Sequence, residues 1–253
     1  MALPKIVSRD EWLAARKKLL AQEKAATRAH DTLNAARRAL PMVRIDKAYE
    51  FEGPALRGDG SPATEKSLQA LFEGRRQLIV CHVMFHTEQG QACTGCSHTI
   101  DNLPHLSHLR ARETSLVVVS RAPLAQLTQY QRRMGWTVPW YSSLASDFNY
   151  DFHATTDESV APVEYNYRDK STLERLGQSY HVKGEQPGVS VFLRDGDDVF
   201  HTYSTYGRGL DVLLTTYHYL DLTPLGRGEG WGGMPDVHDM GRNWLRHHDK
   251  YRD

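Results

Sequence analysis

The chain has 253 residues, which is enough to bury a large apolar core and lies near the upper end for a single domain. Lysine plus arginine number 31, as do aspartate plus glutamate, so no net field would attract nucleic acid or an anionic membrane. The opening segment MALPKIVSRDEW lacks the apolar run of a signal peptide, and no segment approaches the ~20 apolar residues of a membrane span. We therefore expect a cytoplasmic protein whose partner is a small molecule or another protein.

The first predicted element is a long helix that begins at Ser8 and ends before Pro41. Ser8 and Glu11 have the spacing of a capping box, in which each side chain bonds to the other's backbone N–H. The apolar stripe of this helix is too thin for full burial. We expect residues 1–40 to form a helical arm that clamps the domain surface or the partner subunit of a homodimer.

Residues 41–227 form the predicted domain. In chain order, the hydrophobic patterns predict a strand or hairpin (MVRIDKAYEFEG), a turn and short helix (SPATEKSLQALFEG), a buried strand (RRQLIVCHVMF), a helix kinked at Pro104 (SHTIDNLPHLSHL), a second strand (TSLVVVSRAP), a helix (LAQLTQYQRRMGW), a hairpin (GVSVFLRDGDDVFHTYS) and a last helix (GRGLDVLLTTYHYLDL). The segment 136–169 has no sustained period and many aromatic residues, which predicts a long, largely ordered insertion. Residues 228–253 form a glycine-rich tail.

The predicted order is strand, helix, strand, helix, strand, strand, helix. Parallel strands need helical crossovers, so this order indicates an α/β protein with a mixed sheet and helices on both faces. Functional groups in such sheets cluster where the carboxyl ends of strands lead into the amino ends of helices.

The motif CTGC occupies such a junction. The chain has only three cysteines, which excludes a secreted disulfide framework, and a close pair in a reducing cytosol indicates catalysis or metal binding. A helix amino terminus stabilises a thiolate and lowers a cysteine pKa from about 8.5 into the range of roughly 3.5–7.5. We therefore interpret Cys93 as a nucleophile and Cys96, about one turn further on, as the thiol that resolves a mixed disulfide. In the spacer Thr94-Gly95, the glycine leaves the turn unobstructed.

Zinc is the alternative ligand of this pair. Two thiolates and two imidazoles would suit the metal, and five histidines lie near CTGC in the sequence: His82, His86, His98, His105 and His108. However, there is only one C-x-x-C, and no following histidine pair has finger spacing. His82 and His86 would lie about 13 Å apart on one strand, too far for a single ion. We therefore expect no bound metal at the dithiol.

The chain resembles a thioredoxin-like bacterial family catalogued as domain of unknown function family 899. The resemblance rests on blocks that run in order from Ser8 to Arg227: SRDEWLAARKKLLAQEK, LPMV, GRRQLIVCHVMF, CTGCSHTIDN, LVVVSRAPL, RMGWTVPWYSS, SDFNYDF, VFHTYSTYGRGLD and YLDLTPLGR. It implies a thioredoxin-like fold and a dithiol-disulfide oxidoreductase that needs no cofactor, with its cysteine motif at Cys93 and Cys96. It also implies a proline that faces the dithiol before the third core strand; Pro187 is the candidate, and we expect its peptide bond to be cis.

Other residues could tune the site or contact substrate. His86 and His98 flank the pair and, if protonated, would lower the pKa of a thiol further. Trp140 could form part of an apolar wall or lid beside the dithiol, and Arg208 could present a guanidinium to an anionic substrate such as a glutathione carboxylate. Cys81 lies within a buried strand and is interpreted as a core residue.

Three functions follow from these observations. The first is a thiol-disulfide oxidoreductase acting on protein or glutathione-like disulfides and thiols. The second is a thiol peroxidase of peroxiredoxin type, although neither cysteine has the proline and threonine or serine that precede a peroxiredoxin nucleophile. The third is a binding module in which cysteines and histidines hold a structural zinc and the amino-terminal helix dimerises.

Overall fold

A computed structural model describes residues 3–53, 64–228 and 244–252. Its helices are α1 (Arg9–Arg38), α2 (Thr94–Asp101), α3 (Leu106–Arg110), α4 (Leu124–Arg133), α5 (Phe148–Asp151), α6 (Lys170–Arg175) and α7 (Thr215–Asp221). Short 3₁₀ segments lie at Gln69–Phe72, Ser179–His181, Gly207–Leu213 and His248–Lys250. Across these ranges, no helix has the length and apolar character needed to cross a membrane.

The strands of the described ranges are mostly short. They are β1 (Val43–Arg44), β2 (Glu50–Gly53), β3 (Thr64–Ser67), β4 (Gln77–His82), β5 (Phe85–His86), β6 (Gln91–Ala92), β7 (Thr114–Ser120), β8 (Trp140–Ser142), β9 (Thr155–Thr156), β10 (Glu164–Tyr165), β11 (Arg168–Asp169), β12 (Gly184–Glu185), β13 (Gly188–Asp195) and β14 (Asp198–Tyr206). The main sheet has the order β1-β14-β13-β4-β7-β8-β2-β3, and the remaining strands form three two-stranded ribbons.

The centre of the main sheet is thioredoxin-like. Strands β4 and β7 are parallel, β13 runs antiparallel to β4, and β14 runs antiparallel to β13. The β13–β14 hairpin turns at Gly196, whose φ of 59° is easily adopted by glycine. The predicted mixed sheet with flanking helices is therefore confirmed.

Two apolar clusters cover the two faces of this sheet. Because side chains alternate along a strand, Val118 of β7 packs with both cysteines of CTGC on one face, whereas Val117 and Val119 pack with Phe148 on the other. All seven residues of β7 are buried, as the continuous apolar run predicts for a central parallel strand. The dithiol is therefore part of one wall of the core.

Helix α1 is confirmed as a long arm that begins at a capping box. Ser8 Oγ accepts from the backbone N–H of Glu11 at 3.3 Å, and the Ser8 N–H donates to the Glu11 carboxylate at 3.0 Å. No residue of α1 is buried, and the Arg37 guanidinium lies 5.6 Å from the Tyr203 ring centroid. The helix is therefore held mainly by local interactions.

The structure corrects three expectations about elements. The segment MVRIDKAYEFEG does not form a hairpin, because β1 pairs with β14 at one edge of the sheet and β2 pairs with β8 and β3 at the other. The helix after CTGC is interrupted, not kinked: α2 ends at Asp101 and α3 begins at Leu106, since Pro104 lacks the N–H that would continue the helix. The predicted insertion 136–169 contains β8, a strand of the main sheet parallel to β7.

Candidate active site

The two cysteines lie where a small hairpin joins β4 to α2. Strands β5 and β6 pair antiparallel between the first core strand and the motif, and the Cys93 N–H donates to the Met84 carbonyl at 3.0 Å. Cys93 is the N-cap of α2, with extended backbone angles (φ −54°, ψ 144°). The first thiol of the motif therefore lies at the positive end of a helix.

The surroundings of Cys93 favour its thiolate. All three cysteines of the chain are free thiols, and Cys93 is only 8% exposed. A hydrogen bond from the Cys96 thiol, and then bonds from His86 and from the backbone N–H groups of Cys96 and Gly95, lower the pKa of Cys93 well below its usual value despite burial. Cys93 is therefore the thiol of the pair that loses its proton more easily.

Cys96 is held as the neutral thiol. It lies inside the first turn of α2 and is 4% exposed. Its hydrogen bond to the Cys93 sulfur, burial and the negative charge on Cys93 all raise the pKa of Cys96 well above its usual value. The two thiols therefore differ in protonation: Cys93 favours the thiolate, whereas Cys96 keeps its proton.

His86 is brought to the dithiol by the β5–β6 hairpin. Its hydrogen bond to Cys93, opposed by partial burial and helped by the charge on Cys93, raises the pKa of His86. The imidazolium and the thiolate therefore stabilise each other. His86 precedes Cys93 by seven residues, and only the hairpin brings the two together.

The first turn of α2 is fixed by a buried hydroxyl pair. Ser97 Oγ donates to the Cys93 carbonyl at 3.0 Å and lies 3.0 Å from the Tyr130 hydroxyl. Thr94 is the first residue of the helix and is half-buried, and the carbonyl of Gly95 accepts from Thr99 Oγ1 at 3.1 Å. The backbone that presents the thiols is therefore held from α4 as well as from within α2.

Pro187 occupies the predicted place but not the predicted isomer. It precedes β13, whose first residue, Gly188, pairs with His82 at the end of β4. The described residues contain no cis peptide bond, so the bond before Pro187 is trans, the isomer that X–Pro bonds ordinarily favour by about 0.5–1 kcal/mol. The Pro187 carbonyl accepts from the Tyr165 hydroxyl at 2.9 Å. Burial, and to a lesser extent the charge of Cys96, raise the pKa of Tyr165.

The structure directs His98 away from the thiols. Its ring centroid lies 4.8 Å from that of Tyr217 on α7, and Asn102 on its own helix donates to its backbone carbonyl. Burial lowers the pKa of His98, so it does not supply the positive charge that the sequence suggested. His98 follows Cys93 by five positions, which places it on another face of α2.

Trp140 and Arg208 were predicted to line the site or contact substrate. Trp140 is 1% exposed and lies in the same apolar cluster as the two cysteines, and its indole N–H donates to Ser120 Oγ at 3.0 Å, so it belongs to a buried wall and not to an exposed lid. Arg208 is exposed on the turn after β14, with a guanidinium nitrogen 4.0 Å from Asp211. Burial raises the pKa of Cys81 to about 12, in agreement with its assignment to the core.

The described ranges do not contain three or more His, Cys, Asp or Glu side chains grouped as a metal site. The zinc interpretation therefore finds no ligand set in the part of the chain that the structure describes.

Two residues near the dithiol were missed by sequence reasoning: Tyr130 and His247. His247 Nε2 lies 3.1 Å from the carbonyl of Ala92, the residue before Cys93. Each of these residues reaches the site through contacts between distant segments, which periodicity does not report. The aromatic-basic ending of the tail was the only available signal for His247.

The dithiol lies at the amino end of α2, which follows β4 in the chain, and β4 is a central strand in the order β7-β4-β13-β14. This arrangement defines a thioredoxin-like α/β protein. The model of the family described as "Bacterial protein of unknown function (DUF899)" matches residues 1–251, and the chain belongs to that family. A search of the curated proteins finds no match.

The solved structures that the chain matches include those of two bacterial proteins. The bacterioferritin comigratory protein of Xanthomonas campestris, described with alkyl peroxide reduction activity, is 13% identical at a TM-score of 0.39 over 70% of this chain and 95% of that chain. A PrxQ mutant of Xylella fastidiosa is 14% identical at a TM-score of 0.37 over 66% of this chain and 96% of that chain.

Proposed function

We propose that the protein is a thiol-disulfide oxidoreductase whose redox group is the Cys93–Cys96 dithiol. The observation that carries the proposal is the placement of the two thiols, with Cys93 at the N-cap of α2 and Cys96 buried in its first turn. The pKa shifts agree with this placement: Cys96, His86 and helix N–H groups lower the pKa of Cys93, whereas the Cys93 sulfur raises the pKa of Cys96. Such an asymmetric dithiol suits one thiol for attack and the other for resolution.

The first step is attack of the Cys93 thiolate on one sulfur of a substrate disulfide. A Cys93–substrate S–S bond forms, the substrate S–S bond breaks, and the other half leaves as a thiolate. The His86 imidazolium is the group placed to give this thiolate a proton, because the negative charge that raised its pKa is consumed in the same step.

The second step is attack by Cys96 on the mixed disulfide. Once Cys93 is no longer a thiolate, its hydrogen bond and its negative charge no longer raise the pKa of Cys96. Neutral His86 can then receive the proton of Cys96. The Cys93–Cys96 bond forms, the bond between Cys93 and the substrate breaks, and the second substrate half leaves as a thiolate that takes the proton His86 received from Cys96. The protein has then lost two electrons, which a thiol donor, small or protein, restores without a bound cofactor.

The test is reduction of oxidised glutathione by the protein in a thiol-coupled assay. The Cys93→Ser variant should lose activity, while Cys81→Ser, which removes a buried thiol of the same cluster, should retain it. A Cys93→Ser protein that turns over at the wild-type rate would overturn the proposal.

A thiol peroxidase is the second candidate, and the small exposure of Cys93 favours it. A small peroxide can reach a thiol covered to this degree more easily than a larger disulfide can. Cys93 would attack a peroxide oxygen, release an alcohol or water and become a sulfenic acid, which Cys96 would condense to the disulfide with loss of water. Catalytic peroxide consumption faster than disulfide reduction would favour this function over the first.

A further inference from the structure

The carboxyl-terminal segment 244–252 lies across the active-site helix. We call it the strap. Apart from one 3₁₀ turn it has no regular structure, yet Leu245 is 3% exposed and His247 is 8% exposed. A segment this irregular becomes buried only through contacts with the rest of the domain.

The strap is anchored at both ends of α2 and on α4. His247 Nε2 lies 3.1 Å from the carbonyl of Ala92, directly before Cys93, and His248 Nδ1 lies 2.7 Å from Asp101 Oδ1 at the last residue of α2. Asp249 accepts from two nitrogens of Arg133, at 2.8 and 3.0 Å. The strap therefore runs along the helix that carries the dithiol.

These anchors are strong enough to position the strap but not to fix it permanently. The Arg133–Asp249 pair is partly exposed, and ion pairs of this kind contribute about 0–1 kcal/mol. A cleft of about 390 Å³ remains beside α2, lined by His98, Asp101, Thr216, Trp244, Arg246, His248 and Tyr251. Segments with incomplete packing open locally at a small fraction of the global unfolding free energy.

We propose that the strap is a cover that sets the substrate class of the dithiol: it keeps folded proteins from Cys93, so that the closed protein reacts with low-molecular-weight disulfides. The inference rests on the proposed function. The cover accounts for the low exposure, 8%, of Cys93, the residue proposed as the nucleophile. A small disulfide needs access to one sulfur, whereas a protein disulfide must bring its surrounding surface to the same place.

The test compares access for small and bulky reagents in the full-length protein. Alkylation of Cys93 is timed with iodoacetamide and with a polymer-bearing maleimide, and reduction is timed with oxidised glutathione and with the disulfides of insulin. The strap is loosened by Asp249→Asn and, more strongly, by Leu245→Ala. The matched control is Asp31→Asn, an exposed position on α1.

Loosening the strap should raise the bulky-to-small alkylation ratio and the insulin-to-glutathione rate ratio by about tenfold or more, with the control unchanged. Equal ratios in wild type and both variants would overturn the inference. Alkylation does not require turnover, so the two proposals can be distinguished. A protein that is inactive on every disulfide but has a strap-dependent alkylation ratio would overturn the proposed function and the assignment of a substrate class, while the strap would still be shown to cover Cys93. An active protein whose rate ratios do not depend on the strap would overturn the proposal of a cover and leave the proposed function intact.

Discussion

Buried titratable groups lie on both faces of the sheet, and their pKa values are shifted toward the charged form on one face and toward the neutral form on the other. At the dithiol, Cys93 and His86 are both shifted toward their charged forms. On the other face His82 is buried against Phe148, and burial together with the charge of His201 lowers the pKa of His82 to about 3. Burial alone therefore does not decide whether a group is charged.

The difference lies in the partners that each face supplies. Cys93 has a helix amino terminus, a thiol donor and an imidazole, all of which stabilise its charge. His82 has Ser190 Oγ at 2.9 Å, which bonds in turn to Ser204, and its Nδ1 has no hydrogen-bond partner among the described residues. Neutral hydroxyls satisfy a neutral imidazole but do not offset the cost of burying a cation. Of these two environments, that of Cys93 stabilises a charged side chain and that of His82 does not.

The largest predicted effect comes from Cys96→Ser. Without a resolving thiol, Cys93 should remain in a mixed disulfide with its substrate, and turnover should fall by about a hundredfold or more. Mass spectrometry of the variant after incubation with oxidised glutathione should show one glutathione adduct on Cys93. Multiple turnovers with no adduct would mean that Cys96 does not resolve the intermediate, and the two faces would then be less different than their pKa shifts imply.

A smaller effect is expected for His86→Gln. Loss of the imidazolium should raise the pKa of Cys93, moving the midpoint of its pH–alkylation profile upward and slowing alkylation about tenfold at pH values below that midpoint. His108→Gln, on an exposed surface of α3, is the matched control. An unshifted His86→Gln profile would remove His86 from the site.

The His82 face should affect the pH dependence of the free energy of unfolding and not the reactivity of the dithiol. Because the folded pKa of His82, about 3, lies below its usual 6.5, the unfolded chain binds a proton that the folded chain excludes. The free energy of unfolding should therefore fall as the pH drops from about 6.5 toward 3, by up to about 1.4 kcal/mol per pH unit from this group.

Denaturant titrations of wild type and His82→Asn at pH 7, 6, 5 and 4.5 would measure this difference. The variant should have the shallower dependence on pH, while His108→Asn should follow wild type. Parallel curves for wild type and His82→Asn would show that His82 can be protonated in the folded state.

The smallest expected effect is that of Ser190→Ala. This change leaves buried His82 Nε2 and Ser204 Oγ without their shared partner and should cost about 1–3 kcal/mol of unfolding free energy. Disulfide reductase activity should be unaffected, since Ser190 belongs to the network of the other face. A matched loss of activity would mean that the two faces are coupled.

Local sequence signals account for much of the fold. The capping box at Ser8, the apolar runs of β4 and β7, the hairpin turn at Gly196 and the helix start at Cys93 each depend on neighbouring residues, and each was predicted. The central mixed sheet followed from their order because parallel strands require crossovers.

The features that were missed depend on contacts between distant segments. The β5–β6 hairpin folds His86 back onto Cys93, but its strands are two residues each and carry no periodic signal. The destinations of β1 and β2, at opposite ends of the sheet, are set by tertiary pairing. His98 was expected at the dithiol because it is close in sequence, whereas its face of α2 is determined by packing against Tyr217.

The most direct test of the dithiol is a redox titration in glutathione buffers, with alkylation and mass mapping of each thiol. The account predicts one two-electron transition assigned to Cys93 and Cys96, with Cys81 unmodified at every potential. A pair that stays reduced throughout, or a disulfide that involves Cys81, would contradict it.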